Sequence, residues 1–177
     1  ISLGLVGSEM CIRDSAMGLP YAQLVAGIKT LKGLPHRCEL VGVRDGVQFV
    51  NDSKGTNVGA TVAALQGLAD GQNIILVAGG EGKGQAFAPL AKAVSQHAKH
   101  TVLIGRDAVS IAEALDAATP HTFADDMESA VRTATDIAAS GDIVLLSPAC
   151  ASLDMFADYR ARGDAFTAAV QRCEEVS

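Results

Sequence analysis

The chain has 177 residues, of which 49% are apolar and 19% charged, so it is a globular chain and not a disordered one. Its formal net charge of −6 argues against a broad nucleic-acid or anionic-membrane footprint, and no apolar run reaches the length of a membrane span. Aromatic residues make up 4% and Trp is absent, so the core has to be built from Ala, Val, Leu and Ile.

Residues 1–15, ISLGLVGSEMCIRDS, show neither a helical nor a strand period. They lack the basic start and long apolar core of a signal peptide. They resemble translated sequencing-adapter read-through and are set aside as non-native sequence. From Ala16 to Lys32, the residues Leu24, Val25, Ile28 and Leu31 recur at helical spacing, and Gly33-Leu34-Pro35 reads as a hinge. This stretch is too short for a domain and is expected to be the last helix of a preceding one.

From residue 34 onward the pattern alternates. A strand is predicted over Cys38 to Val43, a hairpin turn at Asp45-Gly46 and a return strand over Val47 to Val50. A helix follows over Val58 to Leu68, a strand over Ile74 to Ala78, and a helix over Phe87 to Ala98 with one apolar face. Next come a strand over Thr101 to Ile104 and a helix over Ala108 to Ala118, broken by Pro120. Asp125 with Glu128 reads as a capping box for a helix through Ala139. Ile143 to Leu146 is a fully apolar strand, and two C-terminal helices separated near Gly163 complete the chain. Strands alternating with helices predict an α/β fold: a Rossmann-like, doubly wound, mostly parallel sheet with a short β-hairpin at its start.

The cysteines Cys11, Cys38, Cys150 and Cys173 form no C-x-x-C pair, as expected of free thiols in a reducing cytoplasm. His97 and His100 form H-x-x-H without a third ligand nearby, and read as a solvated helix end rather than a metal site.

Ligands of such sheets bind at the carboxyl ends of the strands, so three loops carry the candidate chemistry. The first is Asn51-Asp52-Ser53-Lys54-Gly55-Thr56-Asn57, seven small or polar residues where a helix start needs one cap. The second is Gly79-Gly80-Glu81-Gly82-Lys83-Gly84. Its glycines admit a ligand close to the backbone, and Lys83 adds a charge. It is not a phosphate loop: G-x-x-x-x-G-K-[ST] would need Gly in place of Val77 and Ser or Thr in place of Gly84. The third is Ser147-Pro148-Ala149-Cys150-Ala151-Ser152-Leu153-Asp154. Ser152 is expected to cap the next helix and leave N–H groups for a carboxylate, and Cys150 is expected to be structural, since no His lies near it in sequence. Together Lys54, Thr56, Lys83 and Ser152 would suit a ligand with two carboxylates, through charge-assisted bonds of roughly 1.5–3 kcal/mol each. No strong general base is evident, so the chemistry is expected to rest on positioning and charge stabilisation.

These three loops, with Gly33-Leu34-Pro35-His36-Arg37, resemble the Mur ligases over nearly all of Ala16 to Ser177. Asp52-Ser53-Lys54 favours the D-glutamate-adding branch, because sibling ligases typically carry an Asp-Tyr-Ala-His type segment there. The resemblance implies a three-domain, ATP-dependent ligase. One domain binds the UDP-sugar, a central domain binds ATP and Mg2+, and the third, residues 34–177 here, binds the amino acid. ATP would phosphorylate the carboxylate of UDP-N-acetylmuramoyl-L-alanine, and the amine of D-glutamate would displace the phosphate. By the same resemblance Lys54 is the catalytic lysine near the phosphates, and Arg37 and Asp52 contact the ATP adenosine. Thr56 and Lys83 hold the distal carboxylate of D-glutamate, and Ser152 and the Leu153 backbone its α-carboxylate. Tyr159 stands where Phe is usual, and Gly55 where Ala is common.

Residues 16–33 resemble the end of the central ATPase domain. The chain contains no G-K-[ST] phosphate loop, so the magnesium ligands and the UDP-sugar site are expected in the central and first domains. The fragment alone is expected to be inactive, and the parent enzyme a cytoplasmic monomer with no nucleic-acid or membrane partner. Other readings remain at this point: another Mur or folylpolyglutamate-type ligase, a nicotinamide-binding domain lacking its glycine fingerprint, or a non-catalytic module on an old ligase fold.

Overall fold

The chain forms a six-stranded sheet around central apolar strands in the computed structural model, which describes residues 33–175. The readings for residues 1–15 and 16–32 lie outside the described residues. The chain divides into two units, Ile1–Leu34 and Pro35–Ser177, and the architecture below is that of the second.

Strands β1 (Glu39–Arg44) and β2 (Val47–Asn51) form the antiparallel hairpin. Its turn, Asp45-Gly46, has φ of 50° and 80°, the double positive φ that matches the twist of two-residue hairpins. Then follow α1 (Val58–Leu68), β3 (Ile74–Gly79), α2 (Ala88–His97), β4 (Ala98–Ile104), α3 (Ala108–Ala114), β5 (His121–Phe123), α4 (Met127–Ile137), β6 (Ile143–Leu146) and α5 (Tyr159–Glu175). The strand order is β1-β2-β6-β3-β4-β5, and every pairing except β1 with β2 is parallel.

Period-two alternation gives the central strands two apolar faces. Ile74, Leu76 and Ala78 of β3, with Ile143 and Leu145 of β6, pack under α1, α2 and α3. Ile75 and Val77, with Val144 and Leu146, pack under α4 and α5. Right-handed crossovers explain the division: the path from β2 through β5 runs one way across the sheet, and the return from β5 to β6 reverses it, so α4 lies on the opposite face.

Several sequence expectations are corrected. β1 starts at Glu39, because Cys38 has a left-handed φ of 45° and its N–H donates to Asp52 Oδ1 at 3.3 Å. β4 starts at Ala98, so His100 lies in a strand and its Nε2 pairs with Thr122 Oγ1 at 2.9 Å. α3 ends at Ala114, where the Leu115 N–H turns back to Ile111 and Ala112. β5 carries no apolar alternation and is wholly exposed, an edge strand recruited by β4. The capping box of α4 is Asp126 with Ser129, while Glu128 pairs with Arg172 at 3.2 Å. The two expected C-terminal helices are one helix running through Gly163. That glycine serves close approach: its carbonyl accepts from Asn51 Nδ2 at 3.1 Å, and a Cβ there would collide with the His36 ring.

Candidate functional site

The parallel neighbours β2, β6 and β3 deliver the three candidate loops side by side at their carboxyl ends. Backbone bonds then join them. Ala149 N–H donates to the Gly55 carbonyl at 2.9 Å, linking residues 147–154 to residues 51–57. Glu81 and Ala151 exchange two bonds of 2.9 Å, linking residues 79–84 to the same loop. Gln85 spans all three, accepting from Val58 N–H at 3.1 Å and donating to the Ala149 carbonyl at 2.6 Å. A fourth loop, residues 105–107, joins through Asp107, whose N–H donates to Gly80 and whose Oδ2 accepts from Gly82 N–H at 2.6 Å.

Asp52 is buried beneath this edge. Its Oδ2 accepts from Ser147 Oγ at 2.7 Å and its Oδ1 from the Cys38 N–H. Burial raises its pKa above the ordinary carboxylate value, and the bonds from Ser147 and Cys38 and the charge of Arg37 pull the other way. Arg37 itself is exposed in the turn before β1. A Cβ on Gly55 would lie 2.6 Å from Asp52 Oδ2 and 2.7 Å from Ser147 Oγ, so the glycine leaves this pair its room.

Lys54 is half-buried, its Nζ 3.8 Å from the centroid of the Tyr159 ring, a cation–π contact of about 0.5–2 kcal/mol. Tyr159 opens α5, and His36 meets the same ring edge-on with centroids 6.1 Å apart. Thr56 is half-buried, with its N–H on the Lys54 carbonyl at 2.8 Å. Lys83 is exposed at the tip of its loop with φ of 54°, and Ala149 has φ of 59°. Non-glycine residues in this region cost roughly 1–2 kcal/mol each, and such strain clusters where a surface is held for use.

Ser152 is buried, and it does not cap α5. Its carbonyl instead accepts from Met155 and Phe156 N–H groups in a turn, while Asp158 Oδ1 caps the helix by accepting from Ala161 N–H at 2.8 Å. Leu153 is exposed at the next position. The structure therefore groups Lys54, Thr56 and Tyr159 on the β2 side and Ser152 with Leu153 on the middle loop. Lys83 stands on the β3 side beside the Arg106–Glu81 ion pair of 3.0 Å. β2 and β3 are two strand spacings apart, about 10 Å.

Sequence reasoning missed four residues that hold this edge together: Gln85, Asp107, Ser147 as the partner of Asp52, and Arg162. Arg162 is 1% exposed, and its guanidinium reaches Ser53 and Cys150. Burial lowers its pKa to about 10, against the opposing influence of Cys150 and Asp154. Cys150 is fully buried, and burial raises its thiol to about 12, with Asp107 raising it, Arg162 lowering it and Asp154 raising it. It therefore stays a thiol, and no histidine is bonded to it. Among the described residues no group of three or more His, Cys, Asp and Glu is placed to hold a metal ion. Among them no helix is long and apolar enough to cross a membrane.

Residues 36–150 match the family model for the Mur ligase, glutamate ligase domain. UDP-N-acetylmuramoylalanine–D-glutamate ligases of Burkholderia mallei (strain SAVP1) and Burkholderia pseudomallei (strain K96243) are each 54% identical over 157 residues. The match covers 88% of this chain and 31% of each relative, so the chain spans about a third of their length. Among solved structures, UDP-N-acetylmuramate-alanine ligase MurC of Thermotoga maritima superposes with a TM-score of 0.64 at 14% identity, covering 92% of this chain and 35% of that one. A bifunctional folylpolyglutamate synthase/dihydrofolate synthase from Yersinia pestis CO92 gives 0.57 at 17% identity, covering 86% and 34%. These two likenesses carry the Rossmann-like fold alone, while the family match rests on more than half of the chain. The chain belongs to the Mur ligase, glutamate ligase domain family.

Proposed function

We propose that residues 34–177 are the amino-acid-binding domain of an ATP-dependent ligase that joins D-glutamate to UDP-N-acetylmuramoyl-L-alanine in peptidoglycan precursor synthesis. The supporting observation is the fusion of three polar loops at the β2, β6 and β3 carboxyl ends, in a chain 54% identical to relatives that bear the D-glutamate ligase name.

In this reading the acyl phosphate forms on the UDP-sugar substrate outside these residues, with ATP and Mg2+ held by the central domain. Residues 16–33 are the end of that domain. The loops present D-glutamate to the acyl phosphate. Lys83 and Thr56 hold the distal carboxylate. Ser152 and the Leu153 N–H hold the α-carboxylate and leave the amine free to attack. Lys54, braced by the Tyr159 ring, stabilises negative charge on the phosphate as it leaves. Tyr159 also walls the D-glutamate side. Arg37, exposed beside the first strand, meets the adenosine of ATP. Asp52, whose oxygens also accept from Ser147 and Cys38, contacts the adenosine beside it. The full-length enzyme is read as a cytoplasmic monomer.

The test is phosphate release by the full-length enzyme with ATP, UDP-N-acetylmuramoyl-L-alanine and one of four acceptors. D-Glutamate should support turnover, whereas L-glutamate, L-lysine and D-alanyl-D-alanine should not. The 177-residue polypeptide alone should release none, since it has no phosphate loop. Equal use of L-lysine or D-alanyl-D-alanine would move the chain to a sibling branch.

A further inference from the structure

Arg162 is the largest fully buried side chain among the described residues, and it has no carboxylate in ion-pair contact there. Burying a charge is costly unless every donor is bonded, and an apolar side chain would fill the same space more cheaply. The guanidinium is instead spent on neutral acceptors. Nε donates to Ser53 Oγ at 3.0 Å, Nη2 to the Ser53 carbonyl at 2.9 Å and Nη1 to the Cys150 carbonyl at 3.1 Å. Ser53 Oγ in turn donates to the Tyr159 carbonyl at 2.7 Å, which ties the same loop to the start of α5. The loop from β3 passes the same group: a Cβ on Gly80 would lie 3.3 Å from Nη1. One rigid fork therefore touches the residue before Lys54 and the residue two before Ser152, with the second loop passing beside it.

We propose that Arg162 is a positioning residue: it sets the separation of the Lys54–Thr56 and Ser152–Leu153 segments, and so governs how tightly the domain takes D-glutamate. The assignment rests on the D-glutamate reading above. A planar five-donor fork can hold two backbone segments at a defined distance, which a lysine ammonium cannot do.

The experiment uses the full-length ligase with Arg162→Met, Arg162→Lys and Ser53→Ala, following phosphate release against D-glutamate and against ATP. Arg162→Met should raise the D-glutamate KM at least tenfold and leave the ATP KM within twofold. Arg162→Lys should fall between Met and wild type, and Ser53→Ala should raise the D-glutamate KM about threefold. A purely structural role would lower Tm and the active fraction while leaving the KM of the surviving enzyme alone. A folded Arg162→Met enzyme with D-glutamate KM within twofold of wild type overturns the assignment. If neither Arg162 variant folds, Ser53→Ala decides by the same twofold criterion. Wild-type enzyme without D-glutamate-dependent release overturns the functional reading and this inference with it, whereas unmoved variants beside an active wild type overturn the inference alone.

Discussion

The two ends of the sheet treat polar residues differently. At the carboxyl ends of β2, β6 and β3, Asn51, Asp52, Ser53, Ser147, Ser152 and Arg162 are all buried. Most are bonded to residues far away in sequence, as Ser147 is to Asp52 and Arg162 to Ser53. At the amino ends, Lys99 reaches the buried Asp142 at 2.7 Å with its own side chain 40% exposed, and Gln72 and the half-buried Asn73 bond backbone carbonyls. Burying polar groups costs free energy that exposed ones avoid. A fold that concentrates such groups at one end is holding several backbone segments in place there, whereas at the other end fewer are buried, Asp142 among them.

The largest expected effect lies on the surface above the buried network. Lys83→Ala in the full-length enzyme should lower kcat/KM for D-glutamate about 10- to 100-fold, the loss of one charge-assisted bond of roughly 1.5–3 kcal/mol, with UDP-sugar binding unchanged. Steady-state kinetics with each substrate varied would show it, and an unchanged D-glutamate KM and rate would remove Lys83 from the site.

Within the network, Ser147→Ala should destabilise the domain by about 1–3 kcal/mol, because Asp52 loses its 2.7 Å donor. The effect should depend on pH. Folded Asp52 holds its proton more tightly than the unfolded carboxyl does. Its contribution therefore favours the fold below the ordinary carboxylate value and fades as pH rises through the raised one. Removing the Ser147 donor raises that value further, so the variant should lose more stability in neutral than in acidic buffer. Urea unfolding at the two pH values would test this, and an equal loss at both would show that Ser147 holds neutral and ionised Asp52 equally well.

The smallest effect belongs to the opposite end. Lys99→Ala should cost about 0.2–1 kcal/mol, since its side chain is 40% exposed and Asp142 keeps the Ala139 N–H as a donor. A loss in urea unfolding as large as that of Ser147→Ala would erase the contrast between the two ends.

What could be read from sequence follows the range of the interaction. The strands β3 and β6 and the helix α1 were legible because both faces or one stripe must be apolar. The three loops were legible because their composition exceeds what a turn requires. β5 was not, since a three-residue exposed edge strand exists only through its partner β4. Gly163 looked like a helix break, yet the glycine is there for His36 and Asn51, more than a hundred residues earlier. Ser152 looked like a helix cap, but the turn after β6 runs on to Asp158 before α5 begins.

The sequence by itself determined the α/β class, the alternation of elements and the identity of the polar loops, because period and turn chemistry act between near neighbours. Only the tertiary structure decided which loops touch, that Asp52 faces Ser147, and that Arg162 points inward rather than to solvent. A lone arginine on a helix carries no local mark of its direction. That is set by whether distant carbonyls offer its donors a better bond than water does.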